Sequence, residues 1–328
     1  MEWERGKYLQ APILEDFSRA LSLALILEAS AWPKPGNVHR LRDRPDLRYE
    51  AFLATGVMAY SYFRRGIKRG LNGWRSIVLG DLIYGLVSDS MRKTPSSNTC
   101  LGSSTLLIPL SLGLGRCIAK EIPGLECVIG EAMEALNGAG VWDTIYYYRA
   151  VRTASPSYLK PSDDTGEYVN IWDPHYARKL AEKNTRLIDV LKYSSRIDVV
   201  ADELVNGYKR SIASERFLRE RFNLHGDWNR SVVETYLYIL MENNDTIVLL
   251  KHGAGMVEYV KKRAGEVLSM ILKDNSSEWV KPVMLLDEEL YRLKVNPGAI
   301  ADLTASSIAL FLLKNIIQGN AFLKPSTV

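Results

Sequence analysis

The sequence is poor in the residues that mark the commonest kinds of site. Histidine occurs four times, as His39, His175, His225 and His252, which leaves few imidazole ligands. No H-E-x-x-H run and no Cys/His cluster is present, so the usual zinc signatures are excluded. The three cysteines, Cys100, Cys117 and Cys127, are odd in number and form no C-x-x-C pair. The expectation is therefore no disulfide framework, no structural zinc and a reducing, cytoplasmic setting. A G-x-x-x-x-G-K-[ST] loop is missing, and Gly113-Leu114-Gly115 lacks the rest of a dinucleotide fingerprint. An excess of one charge is missing too. With 42 basic and 38 acidic side chains the net charge is +4, too even to suggest a nucleic-acid footprint. Met1-Glu2-Trp3-Glu4-Arg5 does not have the basic-then-apolar order of a secretory leader.

What is present is apolar and helical. At 328 residues and 47% apolar, the chain can bury a large core. Thr94 to Gly115 has no charged residue and is long enough to span a bilayer. However, Pro95, Asn98, Gly102, Pro109 and Gly113 interrupt it, and a loop followed by a buried central helix accounts for it better. No membrane association is expected. Helical spacing is read over Ser18–Trp32, Tyr49–Arg65, Asp81–Arg92, the segment after Gly102, Ala177–Tyr208, Val232–Glu242, Gly255–Lys273 and Ala299–Ile317. No alternation of apolar and polar residues lasts long enough to demand a sheet. Residues 155–174, polar and rich in proline, read as a surface loop. The architecture expected is one all-α domain over residues 1–328, with a largely buried central helix.

Three phrases, far apart, have the residues that suit a phosphate-bearing ligand. They are Pro33-Lys34-Pro35-Gly36-Asn37-Val38-His39-Arg40, Ser97-Asn98-Thr99-Cys100-Leu101-Gly102-Ser103 and Asn296-Pro297-Gly298-Ala299-Ile300-Ala301-Asp302-Leu303. Each sets a glycine and an amide or carboxylate beside an apolar helix, where free backbone N–H groups favour anions. Lys34, Gly36, Asn37, Asn98, Thr99, Asn296 and Gly298 are the binding candidates. Simpler readings exist for several of them: Asn98 suits a helix cap, and basic loops are often only solvated. Glu28 lies in an apolar helix one turn before the Pro33 turn, where an acid must find a partner such as Lys34 or Arg40, or stay wet. Asp198 and Asp202 are four apart on an expected helix, where like charges repel unless a cation intervenes. Asp245 precedes an apolar run as a natural N-cap, with Lys251 placed to meet a phosphate and His252 suited to proton transfer. Asp302 falls in an early turn of a helix that looks buried, which favours a functional role. Cys100 has no defined histidine partner and is not expected to be a nucleophile.

Together with Asp143 and Tyr148-Arg149-Ala150-Val151-Arg152, Asp198 with Glu203, and Asp245-Thr246, the ordered set resembles the triphosphoribosyl-dephospho-CoA synthases from about Leu21 to Leu313. Bacterial members read Pro-Lys-Pro-Gly-Leu-Val-Asp-Arg and Asn-Thr-His-Lys-Gly where this chain has Asn37 and His39, and Cys100 and Leu101. This version is similar to the archaeal branch of the family. The resemblance implies a helical, Mg²⁺-dependent transferase that displaces adenine from ATP with a hydroxyl of 3′-dephospho-CoA. It implies phosphate contacts at Lys34, Arg149 and Lys251. It further implies Mg²⁺ on Glu28, Asp198, Asp245 or Asp302, and acid–base work at Asp302, Asp245 or His252. An enzyme of cofactor or nucleotide metabolism with another acceptor and a non-catalytic nucleotide-binding protein are the alternatives. Oligomeric state is left open, a homo-oligomer included.

Overall fold

Two apolar helices organise everything else. The computed structural model describes residues 2–121, 124–273 and 277–325, and among them there is no β-strand, only the isolated bridges His39–Arg42 and Arg44–Leu47. The order is α1 (Glu2–Ser30), α2 (Tyr49–Asn72), α3 (Gly80–Lys93), α4 (Leu101–Ala119), α5 (Leu125–Gly138) and α6 (Val141–Ala154). It continues with α7 (Tyr176–Glu182), α8 (Leu187–Ser194), α9 (Val199–Val205), α10 (Lys209–His225) and α11 (Trp228–Glu242). The last helices are α12 (Thr246–His252), α13 (Ala254–Lys273), α14 (Val280–Arg292) and α15 (Gly298–Ile317).

The sequence implies one buried central helix, and the structure has two. Helix α4 packs against α2, α5, α1, α3 and α15, while α15 packs against α1, α10, α11 and α4. Both are long and apolar enough by composition to cross a membrane, yet 78% of the apolar window of each is buried inside the protein. A helix that is hydrophobic all round has no wet face and must be surrounded. The large core confirms this, running from Leu14 and Phe17 through Leu106 and Leu110 to Phe311 and Leu313.

The expected helix over 177–208 is a correction: three short helices, α7, α8 and α9, occupy it. Asn184 turns left-handed after α7 (φ +47°), and the Asp198 side chain accepts from the Val200 amide to restart the chain as α9. Short polar side chains that bond nearby backbone compete with helix continuation, and here they win. Helix α10 carries so many charges that no apolar stripe stands out in its sequence, although Leu218 and Phe222 are buried.

Buried acids fix helix starts throughout. Asp143 accepts from the amides of Val78 (3.0 Å), Leu79 (2.8 Å) and Gly80 (2.8 Å), completing the first turn of α3. Glu203 accepts from Arg210 (3.1 Å) and Ser211 (2.7 Å) at the start of α10. Each satisfies amides that have no partner within their own helix. Asp202 pairs with Arg210 at 2.5 Å, which offsets its charge, while its repulsion still adds to the rise of the Asp198 carboxyl.

The cysteine expectation is also corrected. Cys117 near the end of α4 and Cys127 in α5 form a disulfide, while Cys100 is free and buried. The cause is tertiary: the α4–α5 hairpin brings two cysteines ten residues apart to a Cα separation of 6.1 Å, which no spacing rule reveals. Closing a loop of that length is worth about 3 kcal/mol in the chain-entropy view. Cys117→Ser is therefore expected to lower the unfolding free energy by about 2–3 kcal/mol. Reductant should destabilise the parent protein equally and leave the variant unaffected in denaturant melts.

Candidate active site

The cavity with the required chemistry lies where the C-terminal part of α1 meets the N-termini of α4 and α15. Leu25, Glu28, Asn37, Leu47, Phe52 and Thr55 line one side, Asn98 to Leu101 and Ser103 the next, and Ile247, Asn296, Gly298, Ala301, Asp302 and Ala305 the last. The three phrases singled out in the sequence therefore meet at one place. Of the candidates, Glu28, Asn37, Asn98, Thr99, Asn296, Gly298 and Asp302 face it.

Asp302 is its centre. It lies over the first turn of α4: a Cβ built on Gly102 would come within 2.1 Å of the Asp302 Oδ2, so only glycine leaves room for the carboxyl there. Burial pushes the Asp302 carboxyl up to about 8, the nearby Glu28 adds to the rise, and the hydroxyl and amide of Ser103 oppose it. Behind it, Asp245 accepts from the Val248 amide of α12 and the Ile300 amide of α15, both at 2.9 Å, and so ties two helix N-termini together. Burial raises Asp245 to about 6 against those same hydrogen bonds. One residue on, the Thr246 hydroxyl donates to Asp198 (3.2 Å) and accepts from the Val199 amide (2.9 Å). Burial raises the Asp198 carboxyl as well. Asp198 is thus joined by a hydrogen bond to Thr246, next to Asp245, and Asp245 to the α15 turn that carries Asp302.

The amides around the cavity are partly spent. Asn98 Oδ1 accepts from Cys100 (3.1 Å) and Leu101 (2.9 Å), the capping role that its sequence position suggests. Asn37 donates to Asn296 Oδ1 at 3.0 Å, which joins the first and third phrases directly. The Thr99 hydroxyl shares 2.8 Å bonds with Thr55 and Ser90, facing inward. Burial pushes the Cys100 thiol up to about 12, which disfavours the thiolate that a nucleophile needs.

Several expected binding residues do something else. Lys34 is fully buried and donates to the Glu28 carboxylate and, at 3.1 Å, to the Glu28 carbonyl, so it is an internal counter-ion. Burial presses the Lys34 ammonium down and the Glu28 carboxyl up, each held back by the other. The Gly36 amide, expected at a phosphate, donates to Asp287 of α14 at 2.9 Å. Gly36 has φ +74°, and a Cβ there would stand 2.8 Å from the Val295 carbonyl; its glycine serves packing against the turn before α15. Asp287 also takes His39 Nε2 (3.1 Å) and Arg42 (3.0 Å), which removes those charges from the site. Nothing in the sequence singled out Asp287.

Arg149 is exposed on α6, its guanidinium 5.2 Å from the Tyr146 ring, away from the lining. Lys251 and His252 are exposed in the last turn of α12. It is the start of α12 that faces the site, so these two lie about 10 Å along the axis from it. No Lys or Arg is among the lining residues. Among the described residues no group of three His, Cys, Asp or Glu is arranged to hold a metal ion.

The loop over 155–174 is more than surface. Tyr148 donates to the Val169 carbonyl (2.8 Å) and Arg152 to that of Ile171 (2.7 Å), so the Tyr148–Arg152 phrase anchors it. Near its start Tyr158 is partly buried, and burial, with the negative charges of Asp198 and Asp302 adding to it, raises its phenol.

A helical enzyme with a desolvated carboxylate between helix N-termini is the class that this geometry defines. Residues 14–320 match the family described as CitG, ATP:dephospho-CoA triphosphoribosyl transferase, and the chain belongs to that family. It is a transferase of the triphosphoribosyl-dephospho-CoA synthase type. A crystal structure from Archaeoglobus fulgidus, which carries the name triphosphoribosyl-dephospho-CoA synthase as a provisional assignment, superposes with a TM-score of 0.60 at 26% identity. The match covers 80% of this chain and 98% of that one. No curated protein matches.

The elevated Asp302 carboxyl has a consequence for stability. Its folded value, about 8, lies above its unfolded value near 3.9. The folded state therefore holds the extra proton between the two, and stability falls as pH rises through that window. Asp302→Asn removes this penalty. In thermal melts the variant should match the parent near pH 4 and exceed it at pH 8 by about 1–3 kcal/mol. A constant difference across the range would mean that the carboxyl is not desolvated.

Proposed function

We propose that the cavity holds the ribose and inner phosphates of ATP, and that a hydroxyl of 3′-dephospho-CoA or a close relative displaces adenine there. The observation that carries this reading is Asp302, an acid held out of water beside Glu28 and facing a cavity walled by amides and hydroxyls. As the C1′–N9 bond breaks, its electron pair leaves with adenine and positive charge gathers on the ribose. In its ionised form a carboxyl fixed beside that carbon stabilises the charge without having to reorganise, and its value of about 8 means that this form gains population as pH rises through 8. The acceptor oxygen forms the new bond to C1′ and gives up its proton, and adenine takes up one, so the protons balance. Asp198, raised by burial, is suited to receive the hydroxyl's proton.

With no lysine or arginine in the lining, the N-termini of α4 and α15 attract the phosphates. Mg²⁺ fits the donors present, which are all oxygen: Asp302, Glu28 and the Asn37 side-chain carbonyl. These suit an ion that takes one or two carboxylates and shares its remaining positions with water and the triphosphate. Such an ion, when bound, neutralises part of the triphosphate charge.

The test is adenine release from ATP and Mg²⁺, with and without 3′-dephospho-CoA, followed by mass spectrometry. Acceptor-dependent adenine with a triphosphoribosylated product is expected. Adenine with a different acceptor would move the substrate within the class, and none from an enzyme that binds ATP would reject the reading. Asp302→Asn should cut turnover by about 10²–10³-fold without loss of stability. Gly102→Ala, which drives a methyl into the Asp302 carboxylate, should cost at least about 10²-fold in kcat while the fold persists.

A further inference from the structure

We propose that the Phe52 ring is the seat of the donor's adenine, with Leu47 beside it, while the polar walls of the same cavity take the ribose and phosphates. This rests on the transfer reading above. Phe52 and Leu47 line the cavity together with Glu28 and Asp302. Among the described residues Phe52 is the one aromatic side chain in that lining, and both it and Leu47 are half-buried. Neither belongs to the hydrophobic core or packs against it, and the Phe52 ring stacks on no other ring. The third half-buried apolar residue of the lining, Ile247, is placed differently. A Cβ built on Gly298 would stand 2.7 Å from its Cδ1, so Ile247 covers the start of α15. Phe52 is left with an aromatic surface at the cavity that the protein itself does not cover.

The ring is held from both ends. Phe52 lies three residues after Tyr49 and three before Thr55, a spacing that sets the three on one side of α2. The Tyr49 hydroxyl bonds that of Ser30 at the end of α1 (2.9 Å), and the Thr55 hydroxyl bonds that of Thr99 just before α4 (2.8 Å). Leu47 is fixed by the same neighbours. The Ser97 amide donates to the Asp46 carbonyl at 2.8 Å, and Leu47 exchanges backbone bonds with Arg44 (2.8 and 3.2 Å). Gly102, over which the Asp302 carboxyl lies, comes one turn after Thr99. The contacts therefore run from Phe52 through Thr55 and Thr99 to the acid.

Adenine is the flat, uncharged part of ATP, and it is attached to the ribose by the bond that breaks. Its seat must adjoin the carboxyl that stabilises C1′, and Phe52 shares a cavity with that carboxyl. Every base presents a face that stacks on an aromatic ring, whereas phosphates and sugar hydroxyls find no donor or acceptor there. 3′-Dephospho-CoA carries an adenine too. That base is not bonded to the carbon under attack, so the seat falls to the donor.

Phe52→Leu keeps an apolar side chain outside the core, so the fold should persist, which a thermal melt verifies. In calorimetric titrations with Mg²⁺ the Kd for ATP should rise about tenfold, with the Kd for tripolyphosphate and for 3′-dephospho-CoA changed less than about twofold. Phe52→Tyr, which keeps the ring, should bind ATP as the parent does. Equal weakening of ATP and tripolyphosphate, a loss confined to 3′-dephospho-CoA, or unchanged ATP binding would overturn the assignment. So would a parent that binds ATP no more tightly than tripolyphosphate. The titrations need no turnover. A parent that releases no adenine rejects the transfer reading alone, and a selective loss of ATP binding in Phe52→Leu still upholds the seat.

Discussion

Charge held out of water at the meeting point of helix ends is the constraint on which this structure depends. Lys34 and Glu28 are buried together, and removing either would leave the other unpaired at a cost of about 3–5 kcal/mol. That pair fixes the end of α1 against the Pro33–Gly36 turn. The turn is in turn tied to α14 by Asp287 and to α11 by the Tyr236 hydroxyl on the Pro35 carbonyl (2.9 Å). Four segments distant in sequence are thus located by a few desolvated polar groups. Apolar burial supplies the driving force for collapse, but these groups define which helix ends meet.

The buried acids divide into two kinds by what their oxygens touch. Asp143 and Glu203 are surrounded by backbone amides and terminate helices. Asp245 does the same for two helices at once, and its oxygens are occupied by the task. Asp302 differs: it is raised by burial and by Glu28, with only Ser103 to oppose them, and it faces open space. All are acids near helix starts, so residue type and spacing cannot separate them. Three-dimensional accounting of partners does, because a carboxyl that meets one residue's donors rather than two helix N-termini remains available for chemistry.

The fold was legible because α4 and α15 are apolar around their whole circumference, a pattern that has few outcomes where the described residues form no sheet. The break at Asn184 and Asp198 was not legible, since capping side chains there compete with a continuous helical pattern. The Cys117–Cys127 bond was hidden for the same reason that Asp287 was: each depends on a contact between elements and leaves no local mark. For the site, the three glycine-containing phrases did locate the cavity, and Asn37 bonded to Asn296 shows that two of them share one wall. Their charges were misleading. Lys34 reads as a phosphate contact, yet its partner is Glu28, and the neighbouring His39 and Arg42 turn to Asp287. Lys251 and His252 failed by direction, because a cap at one end of α12 places the other end a helix length away.

A cavity for an anionic ligand that contains no lysine or arginine requires an explanation, and the helix geometry offers one. The N-termini of α4 and α15 converge there, and what Asn98, Asp245 and Asp302 leave uncompensated of their positive ends is fixed in place. A fixed partial charge attracts phosphate less strongly than an ammonium would, and in the proposed reaction a metal ion arriving with the nucleotide would compensate. The arrangement has a benefit for ribosyl chemistry. A lysine beside the ribose would oppose the positive charge that develops as adenine departs, whereas Asp302 and Glu28 favour it. Locking Lys34 against Glu28 keeps the nearest ammonium paired and out of the cavity lining, which reconciles an anionic donor with a cationic transition state in one small site.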